Sequence, residues 1–356
     1  MTTRMLRAHP LSQPESRKAI DDAGQLLREG ELVAFPTETV YGLGANGWSG
    51  EACAKIYSAK GRPSDNPLIL HIADRAMLDE IARELPLMAE QLMTAFCPGP
   101  ITLILRKSSK VPDRVTGGLD TVGVRMPDHD VARALIRSAG CPIAAPSANL
   151  SGRPSPTTAE TVLQDLSGRI PLILDGGPCT FGLESTIVDC TGDRATILRP
   201  GAITREMLEE LLGPVALAPA LSDVSPDAPR APGMKYTHYA PKIPMTLLEG
   251  AAKDMPGAFL RELRRFRQEG MTAAVIASDE TLAAIGEHRM LPENRWISYG
   301  GQGNLREIAA NLYEALRHFD HISADLLLAE AVPEEGLGLA IMNRMRKASG
   351  YRSITA

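Results

Sequence analysis

The stretch Glu31–Thr39, ELVAFPTET, contains the transition that decides the fold, because a short apolar run passes directly into polar residues. The run from Glu31 to Phe35 predicts a buried strand. Before it, apolar residues recur at helical spacing between Ser16 and Glu29, and Gly30 is a typical helix terminator. A helix followed by a buried strand indicates a mixed α/β domain, and polar side chains where a strand meets a loop often bind ligands.

The same kind of pattern continues on the C-terminal side of this stretch. Helices are predicted at 50–58, 76–96 (with a possible break at Pro86) and 204–212, and short apolar strands at 67–72, 101–106, 121–125, 143–145, 171–174, 185–188 and 196–198. Helices and strands alternate without a strict strand–helix order. We therefore expect one α/β domain with a large twisted mixed sheet over residues 1–213.

Residues 214–243 have the composition of a linker, with seven prolines between Pro214 and Pro244. Beyond the linker the alternation starts again. Strands are predicted at 245–249, 273–277, 296–299 and 324–330, and helices at 257–269 and 305–319. Strands separated by helices predict a smaller, Rossmann-like parallel α/β domain over residues 244–356.

Composition excludes several classes of protein. The 356 residues are 44% hydrophobic and 23% charged, which is typical of a globular chain and not of a fibrous or disordered one. No apolar run approaches the roughly 18 to 20 residues that a membrane span needs. The net charge is −5 and neither half of the chain is strongly basic, so strong affinity for nucleic acid through neutralisation of many phosphates is not expected. Residues 1–16 lack the pattern of a secretory signal, and a cytoplasmic location is expected.

A basic loop, KGRPSDN at 60–66, is the first candidate site. Lys60 and Arg62 are two positions apart in the sequence, and an extended chain would point both side chains to the same side. Paired cations beside a strand end suit an anionic ligand. An arbitrary K-x-R is more often a solvated surface loop, but Asn66 and His71 follow in the same loop and strand, which favours a binding role.

The stretch AAPSAN at 144–149 and the cations at strand ends are further candidates. Small residues before Ser147 and Asn149 leave room for a ligand, although the pattern alone favours a turn with an asparagine cap. Arg125 lies in an apolar strand, so it either pairs with a structural carboxylate or meets an anionic substrate group, and both alternatives stay open. Ser185 and Arg199 add a hydroxyl and a cation at probable strand ends. The chain has neither a Walker nor a Rossmann phosphate loop and no histidine pair typical of a zinc site.

Six motifs, in order and spacing, resemble the YrdC-type domain of the threonylcarbamoyl-AMP synthase family: FPTETVYGLG at 35–44, KGRP at 60–63 with NPL at 66–68, PGP at 98–100, VRMP at 124–127, APSAN at 145–149 and LRPG at 198–201. The segments 231–241 and 336–344 resemble the two-domain form of that family. The resemblance therefore covers nearly the whole chain.

The resemblance implies a nucleotidyltransferase that converts L-threonine, bicarbonate and ATP, with Mg²⁺ on the ATP, to threonylcarbamoyl-AMP and pyrophosphate. A downstream threonylcarbamoyl-transferase complex would use the product to make N6-threonylcarbamoyladenosine at position 37 of tRNAs that read ANN codons. The implied catalytic residues are Lys60, Arg62, Ser147 and Asn149. The implied threonine site is Thr39, His71, Arg125, Ala145 and Ser185, and the implied ATP site is Arg62, Asn66, Thr121, Ser147, Ser155, Arg199 and Tyr236. No protein side chain is implied as a metal ligand.

Two alternatives remain beside this interpretation. One is a carbamoyltransferase that forms carbamoyl-adenylate from carbamoyl phosphate, although the extra domains of such proteins are not visible in the sequence. The other is a non-catalytic RNA-binding module, against which the near-neutral halves of the chain argue. A further hypothesis is that the linker, with Tyr236, closes over the site and protects an acid-labile carbamate from water.

Overall fold

Strands and helices form two separate sheet-based units in the computed structural model, which describes residues 1–219, 239–286 and 291–356. The first unit comprises residues 1–151 and 155–219, and the second comprises Gly152–Pro154 together with the described residues from 239 onward. The expected fold class, a large mixed α/β sheet domain followed by a smaller parallel one, is confirmed. No helix among the described residues is long and apolar enough to cross a membrane.

The first unit has one mixed sheet, whose strands in spatial order are β1, β8, β2, β3, β7, β4, β6, β5, β9, β10 and β11. In chain order these are β1 (Arg4–Arg7), β2 (Val33–Phe35), β3 (Gly42–Asn46), β4 (Ile69–His71), β5 (Ile101–Arg106), β6 (Thr121–Arg125), β7 (Ile143–Ala145), β8 (Leu172–Asp175), β9 (Thr186–Asp189), β10 (Thr196–Arg199) and β11 (Ala216–Leu217). The helices are α1 (Pro14–Arg28), α2 (Gly50–Lys60), α3 (Leu78–Ile81), α4 (Leu87–Phe96), α5 (Asp113–Thr116), α6 (Asp130–Ala139), α7 (Ala159–Leu166) and α8 (Arg205–Leu212).

The apolar faces of the helices explain how the sheet is buried. In α1, Ala19, Ile20, Ala23 and Leu27 form one buried stripe at helical spacing. They pack with the buried face of α6 and with residues of β2, β7 and β8 in one cluster. A second, larger cluster includes apolar residues of α2 and α4. The central strands are buried along most of their length, so the polar side chains in them are shielded from bulk solvent.

The structure differs from the sequence prediction in several elements of the first unit. The predicted helix at 76–96 is two helices, α3 and α4, because Pro86 cannot continue a helix and precedes α4. The strands β1 and β3 and the helices α6 and α7 were not predicted. The predicted linker begins too early, because β11 pairs in parallel with β10 and Val215 is buried beside it.

The second unit is a five-stranded parallel sheet in the order β14, β13, β15, β12, β16, as far as the chain is described. Its strands are β12 (Met245–Glu249), β13 (Ala273–Ala277), β14 (Trp296–Ser298), β15 (Leu326–Glu330) and β16 (Ser353–Thr355). Its helices are α9 (Met255–Gln268), α10 (Asp279–Gly286), α11 (Leu305–His318) and α12 (Gly338–Ser349). The elements α10, α12 and β16 were not predicted.

Candidate active site

Lys60 lies at the end of α2 and is buried, with 2% of its surface exposed. Gly61 caps the helix in the left-handed region (φ 62°), a conformation that glycine adopts without strain. The expectation that residues 60–62 form an extended segment is therefore wrong: the helix ends at Lys60 and the chain turns at Gly61. As the terminal residue of a buried helix end, Lys60 is directed into the protein, which excludes the solvated-loop alternative for it.

The ammonium group of Lys60 connects the helix to the segment after β7. Its Nζ donates to the Ser147 carbonyl at 2.5 Å and to the Asn149 carbonyl, and it lies 3.4 Å from Asn149 Oδ1. Ser147 Oγ donates to the same Oδ1 at 2.5 Å. Three of the four predicted catalytic residues are thus in direct contact, although Lys60 and Asn149 are 89 positions apart in the chain.

Arg62 and Asn66 lie in the loop that follows α2. The Arg62 side chain is partly exposed, and its Nη2 donates to the Pro67 carbonyl at 3.2 Å. Asn66 is 1% exposed, and its Oδ1 receives no hydrogen bond from the described residues. Tyr57 OH donates to the Asn66 carbonyl at 3.2 Å. Burial raises the pKa of Tyr57 to about 12, so this hydroxyl keeps its proton and holds the loop.

The polar loop after β2 is a buried turn held by Thr37. Its Oγ1 accepts from the backbone amides of Thr39 and Val40, at 3.1 and 3.2 Å, and donates to the Val40 carbonyl at 2.7 Å. Thr39 is fully buried, and its hydroxyl lies 2.9 Å from that of Thr37. The Glu38 carbonyl accepts from the amides of Thr180 and Phe181 at 3.1 and 2.9 Å. The turn is therefore rigid at both ends.

Arg125 is the last residue of β6, and its ion-pair partner is Glu38. Arg125 Nη2 lies 2.7 Å from Glu38 Oε2, and both side chains are only 5% exposed. The two alternatives that the sequence left open for Arg125 were a structural carboxylate and an anionic substrate group. The structure supplies the carboxylate, Glu38, which sequence analysis did not select even though it lies inside the first motif.

His71 ends β4 and is paired in register with Arg125 on the neighbouring strand. Burial, reinforced by the positive charge of Arg125, lowers the pKa of His71 to about 3. The imidazole is therefore neutral at pH 7. Its Nδ1 lies 3.2 Å from the Ile69 carbonyl, and its ring meets the Phe35 ring edge-on at 5.9 Å.

Arg199 and Ser185 form a second polar group at the adjoining ends of β10 and β9. Arg199 Nε donates to the Ser185 carbonyl at 3.1 Å, and Nη2 donates to its hydroxyl at 3.2 Å. The Thr102 hydroxyl lies 2.8 Å from the same Ser185 oxygen. Gly201 is necessary here because a Cβ would lie 2.3 Å from the backbone nitrogen of Thr186. The LRPG motif therefore sets how closely the arginine strand approaches Ser185.

The remaining predicted site residues are dispersed over the first unit. Ser155 is buried and its Oγ donates to Glu184 Oε1 at 2.5 Å. Ala145 ends β7 opposite Ile69 of β4. Thr121 begins β6, about 13 Å from Arg125 at the strand's other end, if each residue rises about 3.3 Å. Tyr236 lies outside the described residues.

Several functional candidates were missed because they share no short motif with their partners. Glu38, Thr102 and Glu184 are buried polar residues that contact Arg125, Ser185 and Ser155 respectively. Only Glu38 had a usable signal, since an acidic residue between two threonines after a buried strand needs a partner. Within the described residues, no group of three or more His, Cys, Asp or Glu residues is placed to hold a metal ion.

The mixed α/β sheet with its buried Lys60 and Arg199 belongs to a chain that two family models match. The Sua5_yciO_yrdC family model, described as "Telomere recombination", matches residues 25–201, and the model "Threonylcarbamoyl-AMP synthase, C-terminal domain" matches residues 203–350. The chain belongs to the threonylcarbamoyl-AMP synthase family in its two-domain, Sua5 form.

Individual relatives match over nearly their whole length. The threonylcarbamoyl-AMP synthase of Bacillus subtilis is 49% identical, over 94% of this chain and 94% of its own. That of Pyrococcus abyssi is 48% identical, over 93% of this chain and 94% of its own. The crystal structure of P. abyssi Sua5 complexed with L-threonine superimposes with a TM-score of 0.92 at 45% identity and covers 100% of both chains.

Proposed function

We propose that the first unit is an ATP-dependent nucleotidyltransferase that joins L-threonine, bicarbonate and ATP into threonylcarbamoyl-AMP and pyrophosphate. The observation that carries this proposal is the buried Lys60 ammonium in contact with Ser147 and Asn149, in a chain that matches threonylcarbamoyl-AMP synthases over its whole length. The α-ammonium group of threonine loses a proton, and the resulting amine combines with bicarbonate to form a carbamate with loss of water. A carbamate oxygen then attacks the α-phosphorus of ATP, and pyrophosphate leaves.

Lys60, Arg62, Ser147 and Asn149 are assigned to the reacting groups. Both reactants are anions, so the site has to neutralise their charge and hold them in line. A buried ammonium does this more effectively than an exposed one because water screens it less. The contacts of Lys60 with two carbonyls and one amide oxygen fix its position before substrate enters. Ser147 and Asn149 supply neutral hydrogen-bonding groups beside it.

Thr39, His71, Arg125, Ala145 and Ser185 are assigned to threonine. Arg125 and neutral His71 end neighbouring parallel strands, so a cation and an uncharged ring are presented side by side. Ala145 leaves space because its side chain is a single methyl group. Ser185 is held by Thr102 and Arg199, and its hydroxyl is a suitable partner for a polar substrate group.

Arg62, Asn66, Thr121, Ser147, Ser155, Arg199 and Tyr236 are assigned to ATP. The buried Asn66 amide, whose Oδ1 receives no hydrogen bond from the described residues, offers an acceptor to a ligand donor. Lys60 and Arg199 provide cations suited to phosphate groups. These cations are compatible with Mg²⁺ that is bound to the ATP phosphates rather than to protein carboxylates. The ion would neutralise phosphate charge there.

The product links this protein to tRNA modification. We assign threonylcarbamoyl-AMP as the donor for N6-threonylcarbamoyladenosine at position 37 of ANN-decoding tRNAs, through a separate threonylcarbamoyl-transferase complex. Direct tRNA binding is expected to be weak or absent because the net charge of the chain is −5. We place the activity in the cytoplasm, where ATP and the tRNA substrates occur.

Pyrophosphate release with Mg²⁺-ATP tests the proposal when L-threonine or bicarbonate is omitted in turn. Release that requires all three substrates supports it. Release with carbamoyl phosphate in place of threonine and bicarbonate would assign the protein to the carbamoyltransferases instead. A salt-sensitive tRNA complex without any pyrophosphate release would favour an RNA-binding module.

A further inference from the structure

The buried ion pair between Glu38 and Arg125 is incomplete in the contacts of the described residues. The 2.7 Å contact between Arg125 Nη2 and Glu38 Oε2 brings the charges together, but its angles are not those of a hydrogen bond. Among the described residues, neither Glu38 carboxylate oxygen receives a hydrogen bond, and neither Nε nor Nη2 of Arg125 donates one. Both side chains nevertheless have only 5% of their surface exposed.

This arrangement is costly unless another group completes it. A buried polar group without a partner destabilises the protein, and a buried charged group does so more strongly. The pair carries no net charge, yet it offers free acceptors on Glu38 and free donors on Arg125. A ligand that completes it has to bring N–H donors to one side and an anionic acceptor to the other.

An α-amino acid in its zwitterionic form has this combination of groups on adjacent atoms. We propose that Glu38 binds the α-ammonium group of the amino-acid substrate while Arg125 binds its α-carboxylate. The inference rests on the proposed function and deepens it by adding a residue that recognises the amino group, the atom at which the carbamate forms. Glu38 thereby selects an amino acid over the corresponding amine-free acid.

The surroundings of Glu38 suit this role. The Thr37 turn and the bonds of Thr180 and Phe181 to the Glu38 carbonyl hold its backbone still. The neighbouring titratable groups are uncharged near pH 7, because burial lowers the pKa of His71 to about 3 and raises that of Cys97 to about 11. The zwitterion therefore meets one anion and one cation, without a competing charge from these two neighbours.

Two ligands that differ only in the amino group test the assignment. Ligand-observed NMR titration of the full-length protein measures the affinity of L-threonine and of (R)-3-hydroxybutanoate, which is L-threonine without its amino group. In Glu38→Gln we expect L-threonine to bind about tenfold or more weakly, while the affinity for 3-hydroxybutanoate changes less than about threefold, since one charge-assisted hydrogen-bond set is lost. Arg125→Gln should weaken the binding of both ligands, because both contain the carboxylate.

Matched controls separate binding from folding. Glu31→Gln removes an exposed carboxylate that pairs with Lys55 at 2.7 Å, and it should alter neither affinity. If Glu38→Gln does not fold, Glu38→Asp keeps the charge at a shorter reach, and a partial loss confined to L-threonine supports the same conclusion.

The outcomes distinguish this inference from the proposed function. If a folded Glu38 variant loses affinity equally for both ligands, or for neither of them, the proposed role of Glu38 is overturned. If the wild-type protein then still releases pyrophosphate with all three substrates, the proposed function stands without it. Absence of L-threonine binding to the wild-type protein would overturn both.

Discussion

Glu38 in the first unit and Glu330 in the second are both buried carboxylates, with 4% and 1% of their surface exposed, yet their surroundings differ. Glu330 Oε2 accepts from the amide and hydroxyl of Ser278 at 2.7 and 2.8 Å, and Oε1 accepts from Thr281 and Gln302 at 3.0 and 3.2 Å. Glu38 has an ion pair but receives no hydrogen bond from the described residues. Burial of a charge therefore does not itself indicate a binding site, whereas incomplete hydrogen bonding of a buried charge does.

Activity should depend on the buried polar residues of the first unit, and loss of the buried Lys60 ammonium should have the largest effect. Lys60→Ala should reduce pyrophosphate release by about 10²–10³-fold, the usual loss on removing one preorganised charge donor. Lys55→Ala is the matched control, because Lys55 lies on the same helix, is 40% exposed and pairs with Glu31. Steady-state assays per folded molecule check the result. Equal losses in the two variants would assign Lys60 a structural role only.

In the second unit, loss of the fully hydrogen-bonded Glu330 carboxylate should lower the stability of the protein rather than its activity. Glu330→Gln should lower the free energy of unfolding by about 2–4 kcal/mol, because the amide turns a donor toward groups that are themselves donors and removes the charge that they bind. Urea unfolding measures the change, and Glu335→Gln, at an exposed position, is the control. A Glu330 variant with unchanged stability would remove the contrast with Glu38.

Close packing beside Ser185 gives a smaller expected effect. In Gly201→Ala the new Cβ would lie 2.3 Å from the Thr186 nitrogen, so β9 and the LRPG segment have to separate. We expect a loss of about 1–3 kcal/mol in unfolding free energy, as is usual for overpacking. Gly192→Ala serves as the control, since the nearest atom to its Cβ would be 3.9 Å away. Unfolding curves that coincide for the two variants would contradict the close approach.

Taken per pH unit, the smallest effect is the pH dependence that the neutral His71 gives to the stability of the protein. Its folded pKa of about 3 is below the ordinary value of 6.5, so between these values the unfolded state binds a proton that the folded state does not. Stability should therefore fall as pH falls below 6.5, by about 1.4 kcal/mol per pH unit from this group alone.

Urea unfolding at several pH values between about 4.5 and 7.5 compares the pH dependence of the wild type with that of His71→Gln. The variant should show the shallower dependence on pH, whatever its absolute stability. His321→Gln, at an exposed histidine, should keep the wild-type slope. Parallel slopes for all three proteins would show that His71 is not held neutral by burial.

Much of the fold was predictable because apolar periodicity marks long helices and buried strands. The α1 helix and strands β2, β5 and β6 were predicted from this signal. Strand β3 was missed because Gly42 and Gly44 interrupt its apolar pattern. The α6 helix was missed although Val131, Ala132, Leu135 and Ile136 carry the spacing of a buried helix face.

Site residues that lie together in a short motif were easier to identify from the sequence than the residues that contact them from distant parts of the chain. Lys60, Ser147 and Asn149 were selected from two short motifs, and the structure places them in contact. The partner of Arg125 was not predictable, because Glu38 is distant in the chain and only the sheet order brings them together. This contact joins a loop to the end of a strand that is not adjacent in the sheet, and local sequence does not specify such an arrangement.

The fate of isotopically labelled bicarbonate tests the central claim most directly. Full-length protein is incubated with ¹³C-bicarbonate, L-threonine and Mg²⁺-ATP, and the nucleotide products are separated and analysed by mass spectrometry. The account predicts an AMP adduct that contains both threonine and the labelled carbon, formed in equal amount with pyrophosphate. An adenylate that lacks the label, or one that forms without threonine, would contradict it.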